Sequence, residues 1–165
     1  MIQFSIRKAT PNDATQISKI WEVICAERTY TAVNLPFSPE QEKQYISSLS
    51  NREAIFLAER LDRIIGFQTL DLWAKYTDSF DHVGVMGTFI LPEWRNKGIG
   101  TQLAKKTFTF ARVNNYEKVV IYVRANNIGA ITFYKNLGFI EKGILTRQVR
   151  IDSQYEDEIF LELFL

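Results

Sequence analysis

The spacing of apolar residues predicts an alternation of short strands and amphipathic helices. Residues 2–8 alternate between apolar and polar side chains, which is typical of a half-buried strand. Thr10 can cap a helix, and Pro11 follows it at the first helical position. Apolar residues then recur at helical spacing, which predicts a helix to about Arg28. A similar signal at Ser38, with Gln at the third helical position, predicts a second helix to about Leu49.

The rest of the chain continues the alternation. Two β-rich runs at 54–58 and 64–73, joined by 59–63, favour an antiparallel hairpin. A strand at 83–91 contains two glycines, at 84 and 87, which often mark a bulge or a close backbone approach. Beyond Pro92 the pattern predicts a helix at 98–114, a strand at 119–123, a helix at 127–137 and strands at 139–150 and 155–164. Strict βαβ repetition is missing, so we expect a mixed sheet with helices on both faces.

Composition narrows the class of protein. The 165 residues, 46% of them hydrophobic, suit one domain over 1–165 with a sizeable core. Twenty Lys and Arg against 19 Asp and Glu argue against a nucleic-acid or membrane-surface partner held mainly by charge. The single cysteine, Cys25, excludes an intrachain disulfide, and no Cys/His cluster has metal-ligand spacing, so we expect no metal. No run of about 18 apolar residues occurs, and we expect a cytoplasmic protein.

The most informative passage joins the fourth predicted strand to the next helix, at Arg95-Asn96-Lys97-Gly98-Ile99-Gly100. Its small residues let backbone N–H groups approach an anion, and a helix start adds partial positive charge. Arg95 and Lys97 add full charges, so the passage fits a pyrophosphate. A Walker loop is excluded by the residues before Lys97, and a dinucleotide fingerprint by Leu103, where a third glycine is needed.

Two segments together resemble the GNAT superfamily of acyl-CoA-dependent N-acyltransferases. Ile90–Gly100 matches Arg/Gln-x-x-Gly-x-Gly/Ala after a strand that ends in apolar-x-Pro. Val123–Phe139 looks like the Asn-x-x-Ala-x-x-x-Tyr-x-x-x-Gly-Phe segment of that family. With the order of elements, the resemblance covers essentially the whole chain. It implies an α/β fold, α+β by some schemes, with about seven mostly antiparallel strands and a splay between strands four and five.

The resemblance also implies a reaction: transfer of an acetyl group from acetyl-CoA to a primary amine of a small molecule, such as an amino acid or an amine-bearing xenobiotic. Direct attack in a ternary complex is expected, with Tyr134 as the acid. The expected cofactor-binding residues are Thr88, Phe89 and Ile90 through backbone donors, Arg95, Asn96, Lys97, Gly98, Ile99, Gly100 and Thr101 at the pyrophosphate, and Asn127 and Phe133. A phenol has a pKa of about 10 and a thiol one of about 8.5, so Tyr134 could donate its proton or only hydrogen-bond to the sulfur.

Three points stay open at the level of sequence. Relatives that resemble ribosomal-protein amino-terminal acetylases carry a glutamate where this chain has Tyr122, so the base could be Glu22, Glu27, Asp71 or His82, acting through water. The acceptor is expected among aromatic and acidic side chains, namely Trp21, Glu22, Glu27, Tyr30, Phe37, Asp71 and Trp73. The alternatives are a protein or peptide amino-terminal acetyltransferase and a catalytically silent acyl-CoA sensor, and a homodimer stays open.

Overall fold

Seven strands form one mixed sheet in the computed structural model, which describes residues 3–165. The strands are β1 (Ser5–Lys8), β2 (Ala54–Arg60), β3 (Arg63–Leu72), β4 (Val83–Ile90), β5 (Lys118–Arg124), β6 (Ile140–Ile151) and β7 (Gln154–Phe164). The helices are α1 (Ala14–Ala26), α2 (Pro39–Ser48), α3 (Ile99–Val113) and α4 (Ile128–Asn136). Their order across the sheet is β1-β2-β3-β4-β5-β7-β6. The β4–β5 pair is parallel and the other neighbouring pairs are antiparallel.

The side chains of β2 alternate between two hydrophobic clusters, one on each face of the sheet. Ile55 and Leu57 pack in the cluster that contains the buried face of α1 and Ile46 of α2. Phe56 lies in a different cluster, together with Leu103 of α3. Successive side chains of a strand point to opposite faces, so α1 and α2 cover one face and α3 and α4 the other. The predicted mixed sheet with helices on both faces is confirmed.

Most predicted elements are present with bounds shifted by a few residues, and two details of the prediction are wrong. The connection predicted at 59–63 is a tight turn at Leu61 and Asp62, both with positive φ, because β2 and β3 stay paired as far as Arg60 and Arg63. The first helix ends at Ala26 rather than near Arg28. A 3-10 turn, Pro11–Asp13, precedes it. Residue 2 of the first predicted strand lies outside the described residues.

The glycines of β4 were predicted to mark a bulge or a close approach. No bulge occurs, because the β3–β4 register is continuous from Gly66–Ile90 to Leu72–Gly84. A close approach does occur at Gly84, where a Cβ would lie 2.8 Å from Cδ1 of Leu70. Among residues 3–165, no helix is long and apolar enough to cross a membrane.

Candidate active site

The centre of the candidate site is the gap between β4 and β5. The two strands pair only from Val83–Lys118 to Val85–Val120, and beyond Val85 they diverge. The predicted splay is therefore confirmed, and it leaves the second half of β4 without a partner on this side.

The backbone groups that face the gap follow from the β3–β4 ladder. Leu91 N–H donates to the Ile65 carbonyl at 3.1 Å, so residues of β4 at even spacing from Leu91 also face β3. Thr88 and Ile90 consequently turn their backbone groups toward the gap, as predicted. Phe89 does not, because it lies two residues from Leu91 and its N–H and carbonyl therefore face β3, so the prediction of a free backbone donor at Phe89 is wrong.

A cavity of about 560 Å³ opens at this gap and extends to the start of α3 and to α4. It brings together twelve of the thirteen residues predicted for the site: Thr88, Phe89, Ile90, Arg95, Asn96, Gly98, Ile99, Gly100, Thr101, Asn127, Phe133 and Tyr134. Lys97 is the exception, because its ammonium donates to the Glu93 carbonyl at 2.6 Å and lies over the Trp94 ring. Trp94 also lines this first cavity, and its buried indole N–H has no hydrogen-bond partner within residues 3–165.

The start of α3 forms the anion-directed wall of the first cavity. Gly98 caps the helix with φ +79°, a left-handed conformation that favours glycine. A Cβ on Gly100 would lie 3.0 Å from Cζ of Phe133, so a side chain there would crowd the cavity wall. The first backbone N–H groups of a helix have no hydrogen-bond acceptor within the helix. In α3 these groups face the first cavity, which the absence of side chains at Gly98 and Gly100 keeps open.

Arg95 has a different environment from the one its sequence position suggests. Its guanidinium forms two hydrogen bonds with the Glu27 carboxylate, at 2.8 and 2.5 Å. Its Nε donates to the Ile90 carbonyl at 3.0 Å, and the guanidinium lies 4.9 Å from the Tyr30 ring centre. Glu27 thus balances the charge of Arg95, and the α3 N–H groups are the main attraction for an anion at this wall.

Tyr134 also lines the first cavity and is almost fully buried. Its hydroxyl donates to Oγ1 of Thr88 at 2.9 Å, and Gln68 Nε2 donates to the same oxygen at 2.8 Å. Burial raises the pKa of Tyr134 to about 12, although hydrogen bonds with Thr88 act in the opposite direction. The phenol is therefore held in its protonated form beside the gap.

Two side chains of the second motif hold the segment 28–31, which follows α1. Arg124 donates to the carbonyls of Arg28 and Thr31 at 2.6 and 3.1 Å and also bonds the Glu156 carboxylate. Asn127 accepts from Ala130 N–H at 3.1 Å as the cap of α4 and donates to the Tyr30 carbonyl at 3.2 Å. These bonds hold the backbone at Tyr30, a residue that lines the first cavity.

The carboxylates and the histidine proposed as bases lie elsewhere. Glu22 and His82 are exposed, and Glu27 is paired with Arg95. Asp71 accepts a hydrogen bond from the Tyr45 hydroxyl at 2.5 Å, and burial raises the pKa of its carboxyl. None of the four lines the first cavity.

The sequence analysis did not select Glu158 and Glu42, two of the buried carboxylates, as candidate site residues. Glu158 of β7 is 8% exposed and lies near Tyr122, which pairs with Phe160 two residues further along the same strand. Burial raises its pKa, and Arg124 acts in the opposite direction. Glu42 of α2 is 3% exposed and precedes the buried Ile46 by four residues. That spacing was the available signal for Glu42, because residues four apart share a helix face.

A second cavity, of about 610 Å³, lies under α1 and α2 and contains two of the residues predicted for the acceptor, Trp21 and Phe37. Phe89 lines both cavities, so the two cavities adjoin at this residue. Trp73 lines neither and stacks on Tyr122, with ring centres 5.7 Å apart.

Comparison with known proteins identifies the family. The model of the acetyltransferase (GNAT) family matches residues 19–139, well over half of the chain. The chain belongs to this family. It is 31% identical over 152 residues to an N-alpha-acetyltransferase of Sulfurisphaera tokodaii, an alignment that covers 87% of this chain and 84% of the relative. It is 30% identical over 102 residues to an uncharacterized N-acetyltransferase of Methanocaldococcus jannaschii, covering 61% of this chain and 45% of that longer relative.

The fold agrees with solved structures of the family. A putative acetyltransferase of Salmonella typhimurium, solved with its cofactor acetyl-CoA, superposes with a TM-score of 0.90 at 17% identity, covering 98% of this chain and 94% of that one. This GNAT protein therefore has the fold of that solved acetyltransferase.

Proposed function

We propose that this protein transfers the acetyl group of acetyl-CoA to a primary amine of a small molecule, by direct attack in a ternary complex. The observation that carries the proposal is the meeting of two cavities at Phe89, one along the β4–β5 gap and the other under α1 and α2. This arrangement provides one space for the acyl donor and a separate, partly enclosed space for a small acceptor.

The first cavity has the chemistry that acetyl-CoA requires. The N–H groups of Ile99, Gly100 and Thr101 hold the pyrophosphate, since they open onto a cradle that a side chain at Gly100 would crowd. The backbone groups of Thr88 and the N–H of Ile90 hold the pantetheine arm in the gap, where β5 offers no partner. Acetyl-CoA supplies the reactive thioester, and the residues of the chain orient it.

Tyr134 assists the departure of the sulfur. In the reaction the amine nitrogen forms a bond with the thioester carbonyl carbon, and the bond from that carbon to sulfur breaks with its electron pair on sulfur. With a pKa of about 12, Tyr134 is a weaker acid than a thiol by about 3.5 pKa units. It therefore stabilises the developing thiolate by hydrogen bonding, and solvent delivers the final proton.

Glu158 receives the proton of the amine through water. Glu158 lines neither cavity, so water must carry the proton to it. Three observations support this role: Glu158 is buried, it lies beside Tyr122, and burial raises the pKa of its carboxyl, which makes the carboxylate a stronger base. Glu27 and Asp71, in contrast, are already engaged by Arg95 and Tyr45.

Peptide amino termini form the second candidate class of acceptor. The relative named N-alpha-acetyltransferase, aligned over most of the chain, is the observation in their favour. The position of the second cavity under α1 and α2 favours a small molecule instead. The buried Tyr134 hydroxyl beside the gap favours catalysis over a silent sensor.

The test is thiol release from acetyl-CoA by the purified protein, with mass spectrometry of the acceptor. The panel contains alkylamines, diamines, amino acids and short peptides with free amino termini. Acetylation of small amines above the peptides is the expected result. Preference for peptides would replace the proposal with the second candidate, and binding of acetyl-CoA without release by any amine would favour the sensor.

A further inference from the structure

Five of the eleven residues that line the second cavity are aromatic: Trp21, Phe37, Tyr45, Phe67 and Phe89. The Trp21 ring centre lies 5.4 Å from that of Phe37 and 4.4 Å from that of Phe89. Phe67 completes the wall, 5.0 Å from Phe89. Aromatic faces attract organic cations as well as apolar groups, so the walls suit a ligand that combines both.

Glu42 places a carboxylate in this aromatic cavity. It lines the cavity and is 3% exposed, whereas Glu40, in the same first turn of α2, is exposed. Within residues 3–165, no lysine, arginine or histidine forms an ion pair with Glu42. Burial raises its pKa, and a hydrogen bond with the Trp21 side chain acts in the opposite direction. A buried carboxylate without a cation is costly, and a cationic ligand would remove that cost.

The position of Glu42 relative to the gap indicates which part of an acceptor it meets. It lines the second cavity but not the first, where Thr88 and Tyr134 lie. Phe89 stands between the two spaces. An amine that attacks the thioester must reach the first cavity, so a cation at Glu42 belongs to a different part of the same acceptor.

We propose that the acceptor is a diamine, with Glu42 as the counter-ion of its distal ammonium group and the rings of Trp21, Phe37 and Phe89 around its apolar spacer. This inference rests on the proposed function, because it assumes that the other amine is acetylated at the first cavity. Glu42 is then the residue that determines acceptor specificity.

Three probes with the same six-carbon chain test the inference: 1,6-diaminohexane, hexylamine and 6-aminohexanoate, whose distal ends are cationic, apolar and anionic. Wild-type kcat/KM should be about tenfold or more higher for the diamine than for hexylamine, and lowest for the aminocarboxylate. Glu42→Gln should bring the diamine and hexylamine within about threefold of each other. The exposed Glu40→Gln is the matched control and should keep the wild-type order.

Calorimetry with 1,6-diaminohexane, without acetyl-CoA, separates this inference from the proposed function. A roughly tenfold weaker binding of the diamine to Glu42→Gln would support the inference. If none of the probes were acetylated, that failure would count against the proposed function and not against the role of Glu42. Equal wild-type kcat/KM for the three probes would overturn the inference while thiol release upheld the proposed function. The ranking of the three probes by kcat/KM is measured on the wild-type protein. The inference can therefore be refuted even if Glu42→Gln folds poorly.

Discussion

The hydroxyl of Tyr134 can be removed with little disturbance of its surroundings. Tyr134→Phe keeps the ring, which packs against Phe133 and Phe139 with ring centres 4.9 and 5.5 Å away. It deletes one hydrogen bond, the 2.9 Å contact with Thr88, whose oxygen keeps its bond from Gln68. We expect the free energy of unfolding to fall by only about 1 kcal/mol.

The expected loss of activity follows from the environment of the phenol. Transfer of a proton from a group with a pKa of about 12 to a thiolate of pKa about 8.5 is uphill by about 5 kcal/mol. A hydrogen bond to a charged group contributes about 1.5–3 kcal/mol. If Tyr134 only hydrogen-bonds to the sulfur, Tyr134→Phe should lower kcat by about 10- to 150-fold.

The assay is thiol release at saturating acetyl-CoA and amine, with calorimetry of acetyl-CoA binding and a thermal melt as controls. Affinity for acetyl-CoA should hold. Burial raises the pKa of the phenol to about 12, so Tyr134 stays protonated between about pH 8 and 10. Its titration should therefore not lower kcat in that range. An unchanged kcat in the folded variant would make Tyr134 a packing residue. A fall in wild-type kcat with an apparent pKa of about 9 that Tyr134→Phe abolishes would refute the argument from burial.

Three further substitutions test other parts of the site. Gly100→Glu should abolish acetyl-CoA binding in calorimetry, because it fills the cradle with bulk and negative charge, whereas Gly143→Glu, where a Cβ meets no atom within 4 Å, should bind normally. Glu158→Gln should lower kcat by about 100-fold or more with acetyl-CoA affinity unchanged, and equal kcat would remove Glu158 as the base. Burial raises the pKa of Glu42, so between its ordinary value of 4.5 and its folded value the folded protein binds more protons than the unfolded chain and loses stability as the pH rises. Glu42→Gln should therefore raise Tm more at pH 7 than at pH 4, and a pH-independent difference in Tm would contradict this assignment.

Features of the fold that depend on neighbouring residues were predictable from the sequence. The capping box at Ser38, where Gln41 N–H donates to the serine hydroxyl at 3.2 Å, begins α2 as expected. The glycines at 98 and 100 indicated the open wall of the first cavity, because one needs a left-handed backbone and the other a missing side chain. The splay was implied by the resemblance rather than by any local pattern in β4.

The partners of charged side chains were not predictable in the same way. Arg95 and Glu27 are 68 positions apart, and Tyr45 and Asp71 are 26 apart, so their pairing depends on how the helices lie on the sheet. Sequence reasoning treated Glu27 and Asp71 as available to an acceptor, and both have partners within the chain. It also passed over Glu42, because a glutamate in the first turn of a helix is ordinarily solvated and stabilises the helix from the surface.

The bonds that hold the segment 28–31 have a consequence for how such a protein can diversify. Arg124 and Asn127 bind the main-chain carbonyls of Arg28, Tyr30 and Thr31, not their side chains. A carbonyl is present whatever residue carries it, so substitutions in this segment leave its attachment to β5 and α4 in place. The side chain at position 30, which lines the first cavity, is therefore free to change without loss of the covering segment. Descendants of this chain could acquire new substrates by point mutation at position 30, while Arg124 and Asn127 keep the covering segment in place.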